Sequence, residues 1–95
     1  MTDHDPNEKF RTLLESNHSF PTRYIHKIIG KNSEDFKKSI QNLESEFKGL
    51  SRTSEKTSAN GGHLALTYHF DAKNSEAVIE LTTATHKMKD LIFIL

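Results

Sequence analysis

The 95-residue sequence contains no cysteine. Disulfides, thiolate metal sites and cysteine nucleophiles are therefore excluded, and the composition suits a reducing compartment. Long apolar runs are also missing: the longest, residues 91–95, is far too short to cross a bilayer. The start of the chain lacks the basic and apolar regions of a signal peptide. We therefore expect a cytoplasmic protein that does not enter a membrane.

Net charge is a third absence. Thirteen Lys and Arg residues balance thirteen Asp and Glu residues, so no global field draws the protein to nucleic acid or to an acidic membrane. The hydrophobic fraction is 34%, below that of average globular chains. A chain of 95 residues accommodates one domain with a lean core.

The first 19 residues predict a loose, flexible tail at residues 1–4 followed by a short helix. Asp5 is the expected N-cap, with Pro6 at the first helical position. Phe10, Leu13 and Leu14 form a narrow apolar stripe, which is too small to hold a helix without support from the rest of the domain.

The segment "SFPTRYIHKIIGKNS" predicts a central strand, because both of its faces are largely apolar. Tyr24, His26 and Ile28 alternate on one face, and Ile25 and Ile29 flank Lys27 on the other. A capped helix with apolar positions from Phe36 to Phe47 follows, and the capping residue is Asn32 or Ser33.

The second half of the chain predicts a hairpin, a helix and a last strand. A polar edge strand precedes the turn "ANGG", and an alternating strand then directs Leu64, Leu66, Tyr68 and Phe70 inward. Asn74 or Ser75 caps the next helix. In the closing strand "DLIFIL" we expect an alternating pattern. Its expected inward residues are Leu91, Phe93 and Leu95, and its expected outward residues are Ile92 and Ile94.

After the leading helix, the order of elements is β-α-β-β-α-β. This order is typical of the α+β ferredoxin-like fold, a split βαβ in which two helices cover one face of an antiparallel sheet. We expect a sheet of order 4-1-3-2 in a domain formed by residues 20–95.

The same segments resemble the YbeD-like family of small bacterial proteins, a domain-of-unknown-function family also labelled lipoate regulatory proteins. The resemblance spans Phe20 to Leu95 and includes the hairpin "TSANGGH", the strand "LALTYHF" and the ending "LIFIL". Its main motif is "FPTRYIHKIIG", in which the matching residues are Phe20, Pro21, Tyr24, Lys27, Ile28, Ile29 and Gly30.

The sequence departs from the family pattern at three histidines. His26 and His63 stand where the family often has Tyr or Phe, and His86 stands where glycine is common. The resemblance implies a fold similar to amino-acid-binding regulatory (ACT-type) domains, with no established enzymatic activity.

Catalytic and metal-binding patterns are not found among the polar residues. The six histidines lack the spacings of a metal site, and His63 and His69 are about 20 Å apart along one predicted strand. The serines are explained as caps and turn residues, and no nucleophile and base pair emerges. We expect neither an enzyme nor a bound metal or cofactor.

The sequence also argues against an RNA-binding function. The common RNA-recognition module has the same order of elements but stacks bases on outward aromatic residues of its central strands. Here the outward residues of the third strand are Ala65, Thr67 and His69, so the stacking platform is missing. We expect no nucleic-acid partner.

Two regions remain as candidate binding sites. The loop Gly30, Lys31, Asn32 and Ser33 opens a helix, where free amides and a lysine could hold a carboxylate or phosphate. The sheet face away from the helices carries aliphatic side chains that water would otherwise contact. Its candidate residues are Ile25, Lys27, Ile29, Thr67, His69, Ile92 and Ile94. Either the leading helix or another protein surface, including a second copy, could cover that face.

Three functional hypotheses follow. The first is a small regulatory or adaptor module that acts through protein contacts or homodimerisation on the sheet face. The second is a sensor of an amino-acid-like or anionic metabolite at the Gly30–Ser33 loop. The third, an accessory role in lipoate metabolism, is suggested by the family label alone.

Overall fold

The computed structural model describes residues 5–95, and the predicted loose tail at residues 1–4 lies outside that range. Its elements are, in chain order, α1 (Glu8–Asn17), β1 (Thr22–Lys31), α2 (Glu34–Glu46), β2 (Leu50–Thr57), β3 (His63–Ala72), α3 (Ser75–His86) and β4 (Leu91–Ile94). The strands form one antiparallel sheet in the order β2-β3-β1-β4. The predicted ferredoxin-like fold is therefore confirmed, with β1 and β3 central and the polar β2 at one edge.

The two helices that cover the sheet begin at side-chain caps. Ser33 Oγ accepts a hydrogen bond from the Phe36 amide at 3.1 Å, and Asn74 Oδ1 accepts one from the Ala77 amide at 3.0 Å. Of the two capping candidates for each helix, Ser33 and Asn74 are the ones used. Each cap satisfies an amide that the first turn of a helix leaves without a partner.

The start of α1 differs from the prediction. The helix begins at Glu8 after Asn7, two residues later than a cap at Asp5 requires. Asp5 instead closes the preceding turn, because its carboxylate accepts from the Asn7 amide at 2.9 Å and its carbonyl from the Glu8 amide at 3.1 Å.

The core fills the space between the sheet and its helices. On β3 the predicted alternation is confirmed, since Leu64, Leu66, Tyr68 and Phe70 are all buried. On β1 the inward residues His26 and Ile28 are buried as well. Helices α2 and α3 contribute further large apolar side chains, which are Phe36, Ile40, Leu43, Val78, Ile79 and Leu81.

Helix α1 packs against α3 in the helical layer. Leu14 is buried in the core cluster that contains Val78 and Leu81. Glu15 accepts a hydrogen bond from Ser75 Oγ at 2.6 Å, and Arg11 donates to Glu76 at 2.7 Å. The alternative in which the leading helix covers the other face of the sheet is therefore wrong. Phe10 and Leu14 of the apolar stripe pack against the core cluster that includes residues of α3, whereas Leu13 is exposed. Arg11 and Glu15 form their hydrogen bonds with α3.

The last strand contains a bulge that changes which side chains point inward. Ile29 pairs with Phe93 and the next residue, Gly30, pairs with Leu91, so Ile92 is an additional residue on β4. The alternation after Ile92 is therefore opposite to the prediction. Ile94 pairs with the buried Ile28 and packs against the core, so its outward assignment is wrong. Phe93 shares the outward side of Ile29, so its inward assignment, and with it that of Leu95, is wrong too.

Candidate functional site

The candidate site is the sheet surface that faces away from α2 and α3, here called the outer sheet face. On β1 and β3 its members are alternate residues, and the register aligns them in rows across the sheet. Ile25 lies opposite His69, Lys27 opposite Thr67, and Ile29 opposite Ala65. Ile25, Lys27, Ile29, Thr67 and His69, all predicted to face outward, therefore lie together on this surface.

The β4 side of the outer sheet face is apolar. Ile25 is 55% exposed, Phe93 45% and Leu95 66%, and these are among the most exposed large apolar side chains of residues 5–95. Phe93 is adjacent to Ile29, and the Leu95 amide donates to the Lys27 carbonyl at 2.8 Å. The bulged residue Ile92, at 45% exposure, lies at the rim of this patch. Ile94 does not belong to it.

The β2 side of the outer sheet face is polar. Ser51 lies opposite His69, Ser54 opposite Thr67 and Lys56 opposite Ala65. The register shifts between Arg52 and Ser54, so Thr53 is the additional residue of a second bulge. Its hydroxyl donates to the Thr67 carbonyl at 3.2 Å. Charged and hydroxyl side chains together with a bulge discourage further pairing at an edge strand. The two halves of the face therefore differ sharply in chemistry.

The charges on the outer sheet face are mostly positive. Arg23, Lys27, Lys31 and Lys56 project from it, whereas Asp71 is the acidic residue of the same rows. The Asp71 carboxylate lies 3.9 Å from Nε of Arg23. Within the described residues, Lys27 forms no ion pair, and it lies between Ile25 and Ile29 on the same side of β1. A cation thus stands at the centre of an apolar patch.

Within residues 5–95, some backbone groups of β1 have no strand partner at this side of the sheet. β4 pairs with β1 only from Ile28 to Gly30, and the Leu95 amide extends the pairing to Lys27. The backbone N–H and C=O groups of alternate residues point to the same edge of an antiparallel strand. Those of Arg23 and Ile25 therefore point to the β4 edge, beyond the last residue that pairs there.

The Gly30–Ser33 loop is largely occupied by its own hydrogen bonds. The amide of Lys31 donates to the Asp90 carbonyl at 2.9 Å, that of Asn32 to the Gly62 carbonyl at 3.1 Å, and that of Ser33 to the Lys31 carbonyl at 2.9 Å. The Asn32 side chain also donates to the Gly61 carbonyl at 3.0 Å. The four candidate residues are contiguous, but these three amides are not free for an anion.

An acidic group also borders this loop. Ser33 Oγ donates to the Asp90 carboxylate at 2.6 Å, so a bound carboxylate or phosphate would meet a negative charge there. Gly30 has a packing role: a Cβ atom at this position would lie less than 3.0 Å from the Phe36 ring. The glycine is therefore explained by close contact with α2.

His4 lies outside the described residues, and the other five histidines are dispersed over the fold. His26 is buried, and its Nε2 lies 3.0 Å from Thr85 Oγ1. His18 packs by its edge against Tyr24, with 5.6 Å between the ring centroids. His69 lies on the outer sheet face, while His63 and His86 lie at the ends of β3 and α3. No three His, Asp or Glu side chains among residues 5–95 form a metal-binding group.

The structure also contains two open grooves that the sequence did not predict. One of about 820 Å³ lies between the C-terminal end of α2 and α3, and its lining combines apolar residues such as Phe47 and Ile79 with charged ones such as Glu46, Glu80 and Lys87. The other, of about 570 Å³, borders the outer sheet face along β4. It is lined by Phe10, Tyr24, Thr82, His86 and residues 91–95. Both grooves join residues far apart in sequence, so no local pattern could indicate them.

Comparisons with known proteins support the fold and the family. A crystal structure of the ACT domain from GTP pyrophosphokinase of Chlorobium tepidum superimposes with a TM-score of 0.60 at 16% sequence identity. The match covers 78% of this chain and 97% of that one, so it establishes an ACT-like fold. Among curated proteins, none matches the chain significantly. None of the helices within the described range is long and apolar enough to cross a bilayer.

The family assignment comes from the sequence itself. The model of a family described as a protein of unknown function (DUF493), the YbeD-like family, matches residues 15–95. That match includes every strand, both helices that cover the sheet and the last residues of α1. The resemblance first noted in "FPTRYIHKIIG" is thereby confirmed, and the chain belongs to the DUF493, or YbeD-like, family.

Proposed function

We propose that this chain is a non-enzymatic regulatory or adaptor module that binds another protein through its outer sheet face. The observation that carries the proposal is the apolar patch formed by the exposed Ile25, Phe93 and Leu95 and the half-buried Ile29, which α1 leaves uncovered because it packs on α3. Contiguous apolar surface on a small domain typically marks an interaction site. Only 34% of the residues in this chain are hydrophobic, yet several of them lie together on this exposed face.

The comparisons are compatible with this role. In the GTP pyrophosphokinase the ACT fold is one domain of a larger enzyme, which favours a module that acts by contacting other protein surfaces. The description of the family names no chemical reaction, and the proposed role does not require one.

The alternative hypotheses have less support. A metabolite sensor at Gly30–Ser33 would have to displace internal hydrogen bonds of three amides and tolerate the Asp90 carboxylate. An accessory role in lipoate metabolism has only the family label behind it. On the outer sheet face, by contrast, the side chains that would meet a partner are already exposed.

Photo-crosslinking in cells that encode the chain tests the proposal. The variant Phe93→p-benzoylphenylalanine places the reactive group on the apolar patch. The matched control is Leu13→p-benzoylphenylalanine, since Leu13 is also apolar and is 60% exposed, but on α1. We expect a discrete protein adduct at position 93 and none of that mass at position 13. Failure to form an adduct at position 93, or the same adduct at both positions, would overturn the proposal.

A further inference from the structure

The position of Lys27 restricts what can cover the outer sheet face. Its side chain projects between Ile25 and Ile29, opposite Thr67, and Leu95 is hydrogen-bonded to its backbone. A partner that buries these apolar neighbours also covers the ammonium group. An ammonium group without an opposite charge is costly to remove from water, whereas one paired with a carboxylate is tolerated.

The charged side chains that the structure describes around Lys27 do not supply that carboxylate. Arg23, Lys31 and Lys56 add positive charge to the same face, and Asp71 already lies near Arg23. The helical layer has the opposite character, since α2 and α3 together carry more acidic side chains than lysines. The outer sheet face of this electrically neutral chain is therefore basic, and its complement is an acidic surface.

A second copy of the chain fits this face poorly. Dimers usually form about a twofold axis, which places the same patch of both copies in contact. Two outer sheet faces packed in this way would place one basic surface against another, and like charges at an interface are repulsive. Contact between the basic face of one copy and the acidic helical layer of the next is heterologous, and such contacts lead to rings or open filaments rather than to a twofold dimer.

The apolar content of the face distinguishes a protein partner from a nucleic acid. Phosphates could pair with the lysines, but bases are bound mainly by stacking on aromatic or guanidinium planes. The apolar patch offers one aromatic ring, Phe93, among aliphatic side chains. Aliphatic surface is buried best by apolar side chains of another protein.

From these four observations, and resting on the proposed function, we infer that the partner is a different protein whose contact surface presents a carboxylate among apolar side chains. The carboxylate pairs with Lys27, while the apolar side chains pack on Ile25, Ile29 and Phe93.

The test uses the adduct formed by Phe93→p-benzoylphenylalanine in the full-length chain. We expect Lys27→Glu to lower the adduct yield at least about tenfold, because one member of a buried charge pair is then replaced by a like charge. Lys27→Arg should retain the adduct. Lys56→Glu is the control for general electrostatics, since Lys56 lies on the polar edge strand away from the apolar patch, and we expect less than about a threefold effect there.

The outcomes separate this inference from the proposed function. An adduct that forms but is unchanged by Lys27→Glu would overturn the acidic partner while leaving the binding face intact. An adduct with the mass of two copies of this chain, or one that nuclease removes, would likewise overturn it. Because Lys27 is exposed, each variant should give the amide NMR spectrum of the folded protein.

Discussion

The Nε2 atom of His26 lies 3.0 Å from Oγ1 of Thr85, and both side chains are buried. The Thr85 hydroxyl also lies 2.7 Å from the Leu81 carbonyl, which can only accept a hydrogen bond. The hydroxyl therefore donates to Leu81, and His26 Nε2 must carry the proton that it donates to Thr85. The hydrogen bond links the central strand to the end of α3, and burial of the ring favours its neutral form.

The first prediction concerns the pH dependence of stability. Burial, and secondly the charge of His86, lower the pKa of His26 to about 4. In the unfolded chain the pKa is near the usual ~6.5, so between these values the unfolded state binds the additional proton. The His26 contribution to stability is therefore complete above pH 6.5 and is lost as the pH falls toward 4. The loss should reach about 3 kcal/mol at most.

Urea unfolding at pH 7.0 and 4.5 measures this effect. The comparison is His26→Gln, which keeps an N–H donor for Thr85 but does not titrate. Carboxylates titrate in both proteins, so the difference between their two pH dependences isolates His26. Equal losses of stability in the wild type and the variant would contradict the prediction.

A second prediction tests why residue 30 is glycine. Gly30→Ala should reduce the free energy of unfolding by about 1–3 kcal/mol, because the new methyl group enters the space of the Phe36 ring. In the double variant Gly30→Ala, Phe36→Leu, the smaller side chain makes room for the new methyl group. The loss of unfolding free energy in the double variant should therefore be smaller than the sum of the losses in the two single variants. Strictly additive effects in urea unfolding would show that the glycine has another role.

A third prediction concerns how α1 is held. Leu14→Ala should cost about 2–5 kcal/mol, because Leu14 is buried in the core cluster beside Val78 and Leu81. The neighbouring Leu13→Ala is the matched control and should change stability by no more than about 0.5 kcal/mol, since Leu13 is largely exposed. If α1 covered the outer sheet face instead, the two variants would not separate in this way.

A fourth prediction tests the bulge at Ile92. Ile94→Thr should cost about 1–2 kcal/mol, because Ile94 packs against the core. Phe93→Thr should cost less, since the ring lies on the exposed side of the strand and Thr is well tolerated in strands. The regular alternation expected from the sequence predicts the reverse ranking, so thermal unfolding of the two variants decides between the registers.

The sequence predicts those parts of the fold in which local pattern and tertiary contact agree. Alternation from Leu64 to Phe70 identifies the inward face of β3, and the caps at Ser33 and Asn74 mark the helix starts. The bulge in β4 escapes prediction because "LIFIL" is apolar at every position, so no alternation reveals which residue is additional. Its register is fixed instead by β1.

The position of α1 and the basic character of the outer sheet face could not be predicted for a related reason. A stripe of three apolar residues does not specify which surface it packs on. Lys27 and Lys56 belong to strands separated by a helix, and they share one face only through the pairings of β1 with β3 and of β3 with β2. The candidate residues on β1 and β3 were found from alternation, whereas the charge pattern depends on register across three strands.

The separation of charge between the sheet and the helices gives the domain an electric dipole although its net charge is zero. The positive end is the outer sheet face, and the negative end lies among the acidic side chains of α2 and α3. An approaching acidic protein would experience a torque that turns this face toward it within a Debye length of about 8 Å at physiological ionic strength. Electrostatic steering can therefore orient the encounter before any apolar side chain makes contact.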